Sequence, residues 1–324
     1  MTSRSCNPWW WCLPSSSFWP TFWWMSYMLS LTPVSAEAAF PGKRRSGFLR
    51  PGGYPVIPIA VLLLVLVIPG LFSTWIAPFG PETTDLRARL RPPVFFGGTW
   101  DHALGTDRLG RDILSRTMHG AWYALSISAV GIFVGVLIGT TLGLIAGYAR
   151  GWADTIIMRL VDISLALPAM LLALALAALS GPSFRSVIIV VAFVLWAYFA
   201  RQVRAEVLSL RERDYVARAI VAGTSHPMIL WRHILPNVTN TIVVLATLQV
   251  GIVITLEASL SFLGIGIPRP TPTWGLLVSD GRQLLTSAWW LSFFPGMAIL
   301  LTVLSINLFG DWLRDKLDPK LRER

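Results

Sequence analysis

The chain has 324 residues, of which 54% are hydrophobic and only 14% charged, with a formal net charge of +10. The apolar residues fall in uncharged runs too long for ordinary core helices, which marks an integral membrane protein and excludes a soluble globular domain. The positive charge is concentrated in the connections between those runs, as membrane topology requires, so it does not indicate nucleic-acid binding.

Residues 1–50 form a Trp- and Pro-rich tail. Trp9, Trp10, Trp11, Trp19, Trp23 and Trp24 are interrupted by Pro8, Pro14, Pro20 and Pro33, and only Arg4 is charged before Glu37. Prolines break a regular helix, and the stretch is not the aliphatic core of a cleavable signal. Three readings stay open: a disordered tail or a start at Met25 or Met28, an interfacial anchor, and a seventh span. Cys6 and Cys12, the two cysteines, lie in this tail with no ligand-rich neighbourhood, so no disulfide framework or metal is implied.

Residues 51–324 are read as one all-α transmembrane domain. A spanning helix needs about 20 residues, and uncharged runs occur at 56–77, 121–149, 163–184, 186–200, 234–256 and 283–310, which are read as six spans near 56–77, 121–149, 160–182, 183–203, 236–257 and 287–310. The fourth run is short, and Arg185 and Arg201 are expected to snorkel to opposite interfaces. With both termini on the cytoplasmic side, the inner connections are 150–159, 201–233 and the end after Asp311. Of the 27 Lys and Arg residues, 18 are then inside and 9 outside, six of the nine within 87–116.

Ahead of the second run stands Leu104-Gly105-Thr106-Asp107-Arg108-Leu109-Gly110-Arg111-Asp112, with two glycines and alternating charge, expected to fold tightly over a pore mouth. Within the second run Gly131, Gly135, Gly139, Gly143 and Gly147 recur every four residues. That spacing places them on one slowly drifting stripe, where the missing side chains let a neighbouring backbone approach. The stripe is either a static packing face or a sliding surface between transport states.

Acidic residues near the spans are few. Asp162 is placed at the inner end of the third and Glu257 near the outer end of the fifth, each either solvated at the interface or, for Glu257, facing a translocation path. Between the fourth and fifth runs, residues 204–235 form a polar, Arg-rich insert. It carries a short amphipathic helix through Tyr215–Ala222, a helix-stopping Gly223, and a second short helix to Ile234 for which Thr224 or Ser225 supplies the cap. A later outer loop reads Ser259-Leu260-Ser261-Phe262-Leu263-Gly264-Ile265-Gly266, then Pro268, Pro270, Pro272, Trp274 and Gly275. The last span leads into Asn307-Leu308-Phe309-Gly310-Asp311-Trp312, then Leu317-Asp318-Pro319.

No Gly-x-x-x-x-Gly-Lys-Ser/Thr loop is present, and Gly42-Lys43 lacks the rest of that pattern. His102, His119, His226 and His233 show no metal-ligand spacing, and no Ser, His and acid set is placed for hydrolysis. A membrane-embedded enzyme or scaffold is the rival class; Asp162 and Glu257 lie near opposite faces, which weakens it.

The Leu104–Asp112 segment, the 204–235 insert, the Ser259–Gly275 loop and the Asn307–Pro319 end, four motifs in this order between Pro55 and Arg322, resemble the permeases of bacterial ATP-driven dipeptide, oligopeptide and nickel importers. The similar member is the partner carrying the Leu-Gly-Thr-Asp-x-Leu-Gly-Arg-Asp segment. The resemblance implies a type I ABC importer permease fold in the bacterial cytoplasmic membrane. It also implies a homologous second permease, two ATPase subunits that hold ATP and Mg, an extracytoplasmic binding protein, and no cofactor in this chain. Short peptides are the expected cargo, with nickel, haem or another small solute as the alternative; nickel would favour His or Cys lining the spans, and none is there. The resemblance assigns ATPase coupling to Tyr215, Ala217, Arg218, Ala219, Gly223, His233, Leu235 and Pro236. Ala217-Arg218-Ala219 stands where the family pattern has Glu-Ala-Ala, and His233 and Trp312 stand at its Ile and Gly positions.

Overall fold

The structure, a computed structural model, describes residues 55–317; the readings made for residues 1–54 lie outside them. Nine helices organise the described residues. Five are long and apolar enough to span a bilayer alone: α1 (Val56–Ile76), α2 (Ile113–Ala149), α5 (Phe184–Arg211), α7 (His226–Phe262) and α9 (Trp290–Leu317). Between them lie α3 (Gly151–Ala166), α4 (Ala169–Ser180), α6 (Asp214–Val221) and α8 (Trp274–Gly281).

Two of the long helices owe their irregularity to proline. A proline ring clashes with the carbonyl four residues back and supplies no N–H, so the helix must widen or bend. In α1 a π turn at Leu63–Val67 immediately precedes Pro69, and in α7 a π turn at Leu230–Ile234 immediately precedes Pro236. The widened turn lets each helix continue rather than stop. The insert's second short helix is therefore not a separate element: α7 begins at His226 and runs unbroken into the span.

The third expected span departs from the sequence reading. Gly151–Ala166 and Ala169–Ser180 are two helices bent by 93° at Leu167-Pro168, because a residue before proline is pushed out of the helical region. The fourth run is not short either. α5 continues ten residues past Arg201 to Arg211, so Arg201 lies inside the helix rather than at its end. Its arginines are held by carboxylates of α3: Arg201 Nη2 donates to Asp162 Oδ1 at 2.6 Å and Arg204 Nη2 to Asp154 Oδ2 at 2.7 Å. The Asp162 pair is largely exposed.

α2, with 37 residues, is about 55 Å long and outreaches a hydrocarbon core of about 30 Å at one or both ends. Asp112 caps its start by accepting from the Ser115 N–H at 2.8 Å. The main core lies where α2, α5 and α7 meet, around Ile127, Val191, Leu195, Phe199 and Val253. All five stripe glycines of α2 face α5: a Cβ on Gly131 would meet Val191, on Gly135 Leu195, on Gly139 Phe199 and the backbone of Trp196 and Ala200, on Gly143 Val203, and on Gly147 Val207. Backbone approach of this kind is what holds apolar helices together where lipid supplies no hydrophobic drive.

Candidate functional site

The insert is anchored by its apolar side. Val216 of α6 and Ile229, Ile234 and Val238 of α7 are buried in one cluster with Val203 and Val207 of α5, while Tyr215 and Ala219 pack against its edge. Since Val207 also faces Gly147, the insert, α5 and the glycine face of α2 form one continuous packed unit.

Gly223 closes α6 by a Schellman arrangement. Its φ is +75°, its N–H donates to Ile220 O at 3.0 Å, and the Thr224 N–H donates to Ala219 O at 3.1 Å. Ser225 stands at the cap position of α7, but neither its hydroxyl nor that of Thr224 bonds the helix start. Pro227 in the first turn removes one of the donors a cap would serve.

The other expected coupling residues divide by exposure. Ala217, Arg218 and Pro236 are exposed, whereas His233 and Leu235 are half-buried at the π turn, where the His233 carbonyl accepts from Asn237 Nδ2 at 2.6 Å. The Tyr215 hydroxyl is buried and has no hydrogen-bond partner. Around them the insert presents large apolar side chains: Val221 is 89% and Trp231 73% exposed. Arg213, Arg218 and Arg232 add exposed positive charge with no ion pair to any described residue.

A polar knot that the sequence did not signal joins this unit at one corner. Tyr148, at the end of α2, shares a hydrogen bond with His226 Nδ1 at 2.7 Å, and Arg211 Nη1 donates to the Tyr148 carbonyl at 2.5 Å. The Arg211 guanidinium also lies 5.3 Å from the centre of the Tyr148 ring. The ends of α2, α5 and the start of α7 thus meet through three side chains far apart in sequence.

At the other end of the bundle, residues 77–112 fold over the start of α2. Gly105 and Gly110 have φ of +83° and +74°, and a Cβ on either would strike the backbone of Arg91 or Asp85. Asp107 accepts from the N–H groups of Leu109 and Arg111 and binds the side chains of Arg111 and Arg116. His102 Nδ1 bonds Asp112 at 3.1 Å, Thr106 Oγ1 donates to the Ala88 carbonyl, and Trp290 Nε1 donates to Thr106 O at 3.2 Å. The repeated charges of the Leu-Gly-Thr-Asp segment are therefore mostly structural.

Glu257, expected either solvated or on a path, is not solvated within this subunit: it is 2% exposed and accepts from Ser261 Oγ at 2.7 Å. Its neighbours Ser261 and Thr273 are buried too, so the chain's own packing encloses the carboxyl. Trp312 stacks on Phe309 with ring centres 5.8 Å apart. Among the described residues no group of three or more His, Cys, Asp or Glu is placed to hold a metal ion.

The described residues thus form a bundle of helices long and apolar enough to span a membrane, with an insert packed against one end, the architecture of a multi-pass membrane protein. The chain belongs to the family of binding-protein-dependent transport system inner membrane components, whose model matches residues 139–323. It is 47% identical over 269 residues to the dipeptide transport system permease protein DppC of Escherichia coli K12, covering 83% of this chain and 89% of that protein. The di/tripeptide transport system permease protein DppC of Pseudomonas aeruginosa is 41% identical over 263 residues, 81% and 87% of the two chains. A structure of the MetNI methionine ABC transporter in inward-facing conformations matches with a TM-score of 0.53 over 64% of this chain and 98% of that one. At 16% identity that likeness shows the fold alone, that of an ABC importer permease.

Proposed function

We propose that this chain is one of two permeases of an importer that carries short peptides across the bacterial cytoplasmic membrane, driven by ATPases on separate subunits that hold ATP and Mg. The observation that carries the cargo is the 47% identity to a dipeptide permease over most of both chains. The geometry of the insert supports the drive: its buried side is fused to α5 and through it to α2, while its other side presents Val221, Trp231 and unpaired arginines to a partner. Short helices packed into a rigid unit pass a partner's displacement to the spans as tilting, which is the alternating-access motion of such bundles. In this reading the insert and both termini are cytoplasmic, the 77–112 segment faces a peptide-binding protein, and Tyr215, Ala217, Arg218, Ala219, Gly223, His233, Leu235 and Pro236 lie at or behind the ATPase contact.

The test is reconstitution of the chain with the second permease, the ATPases and the binding protein in vesicles. ATP-dependent uptake of labelled dipeptides and tripeptides is expected, with hydrolysis raised several-fold by the peptide-loaded binding protein. Uptake of nickel or haem without peptide uptake would reassign the cargo; no ATP-dependent uptake of any of them would remove the transport reading.

A further inference from the structure

Residues 92–100, Pro-Pro-Val-Phe-Phe-Gly-Gly-Thr-Trp, carry no charge although they belong to a loop, 77–112, that holds five arginines and five acidic residues. The structure places Val94–Phe96 in a single 3-10 turn, closed by Gly97 at φ +89°, so that two adjacent phenylalanines crown its tip. Phe95 is 61% and Phe96 62% exposed, an unfavourable placement for two large rings if water alone covered them.

The turn is fixed in height by its contacts. Phe96 packs edge-on against Trp289 at 5.4 Å, Phe95 against Phe294 at 6.2 Å, and Trp289 against Phe293 at 5.2 Å. Trp289 immediately precedes α9, so the tip lies level with the first turn of a spanning helix. From that level Phe293, Leu300 and Leu304 form an exposed apolar face along α9, and no charged residue occurs from Trp290 to Gly310. The aromatic cluster continues this face at the end where a span leaves the hydrocarbon. Aromatic rings are favoured at that boundary.

We propose that the Val94–Phe96 turn is a shallow lipid anchor: Phe95 and Phe96 insert at the headgroup boundary of the leaflet opposite the insert, pinning the 77–112 segment to the membrane surface. The occupant is the phospholipid leaflet itself, because the exposed tip is continuous with the apolar face of a spanning helix. Held this way, the Asp107 knot over the start of α2 keeps a fixed height above the membrane while the spans tilt beneath it.

The experiment uses the complete importer in phosphatidylethanolamine and phosphatidylglycerol vesicles, in a background with Cys6→Ser and Cys12→Ser. A nitroxide is attached to Phe96→Cys and, separately, to Phe95→Cys, with exposed Thr84→Cys in the same segment as the aqueous control. Collisions with oxygen are expected to exceed those with a water-soluble nickel chelate several-fold at 96 and 95, and the order to reverse at 84. A nickel accessibility at both tip positions equal to that at 84 overturns the proposal in favour of a water-exposed loop. Low accessibility to both reagents overturns it in favour of coverage by another subunit. Among the described residues Phe96 makes fewer ring contacts than Phe95, with Phe95 and Trp289 alone, so its variant tests the anchor even where Phe95→Cys impairs assembly.

Discussion

The Asp107 carboxylate reaches Arg116 Nη1 at 2.5 Å inside the protein, with both side chains almost wholly buried. Asp107 also ties Arg111 at 2.7 Å and two backbone N–H groups, so one carboxylate organises the turn over α2. Removing it leaves a buried guanidinium without a counter-charge, a loss of about 3–5 kcal/mol for such pairs. Asp107→Ala is expected to lower the yield of folded protein and its thermal midpoint strongly. Arg116→Met added to Asp107→Ala should recover part of the loss, because the stranded charge is then gone. A double variant no more stable than Asp107→Ala would show that the backbone bonds, and not the ion pair, dominate.

Gly139 faces the Trp196 carbonyl, Phe199 Cβ at 2.6 Å and Ala200 N at 3.0 Å. Even one methyl group would press on backbone rather than on a movable side-chain tip. Overpacking of this kind costs about 1–3 kcal/mol. Gly139→Ala should reduce the assembled complex measurably and Gly139→Leu nearly abolish it. Ala129→Leu, on the same helix but lining an open apolar groove of about 630 Å3, should assemble like the parent. The readout is complex recovered by size-exclusion chromatography at matched expression; equal recovery from Gly139→Leu and Ala129→Leu would contradict a close α2–α5 contact.

What the sequence made legible depended on whether the signal was local. Gly131 to Gly147 announced their stripe by spacing alone, but not that α5 would lie against it. Gly223 announced a helix end because only a left-handed residue suits that place. The bend at Leu167-Pro168 was readable from the proline rule, yet the apolar run across it overrode that signal. Hydropathy also truncated α5, because Arg201 and Arg204 look like a helix leaving the membrane until their partners Asp162 and Asp154 are known. Pairing across elements of this kind has no sequence pattern, and the Tyr148, Arg211 and His226 knot was invisible for the same reason. The burial of Glu257 was not legible because it depends on how the loop after α7 folds back over it.

Basic residues divide 18 to 9 between the two sets of connections, so the insert is expected in the cytoplasm. Ser209 and Thr84 are both exposed and lie at opposite ends of the bundle. In a background lacking Cys6 and Cys12, an impermeant maleimide applied to spheroplasts should label Thr84→Cys and spare Ser209→Cys until the membrane is opened. Labelling of Ser209→Cys in sealed spheroplasts would invert the orientation.

Gly223 offers the sharpest test of the insert, because nothing lies within 4 Å of where its Cβ would be and its φ is +75°. A substitution there acts through the backbone alone, without a clash to confuse the result. A β-branched residue in the left-handed region loses about 1–2 kcal/mol, enough to fray the end of α6 but far less than a spanning bundle needs to unfold. Asn tolerates that conformation much better. Gly223→Val is therefore expected to reach the membrane and assemble normally, with peptide uptake reduced several-fold and ATP hydrolysis no longer raised by the loaded binding protein. Gly223→Asn should retain most of both activities. Arg218→Ala, which removes one exposed charge worth under about 1 kcal/mol in a single ion pair, should sit close to the parent. Normal uptake and normal stimulation in Gly223→Val at parental expression would take the mechanical role away from the turn between α6 and α7.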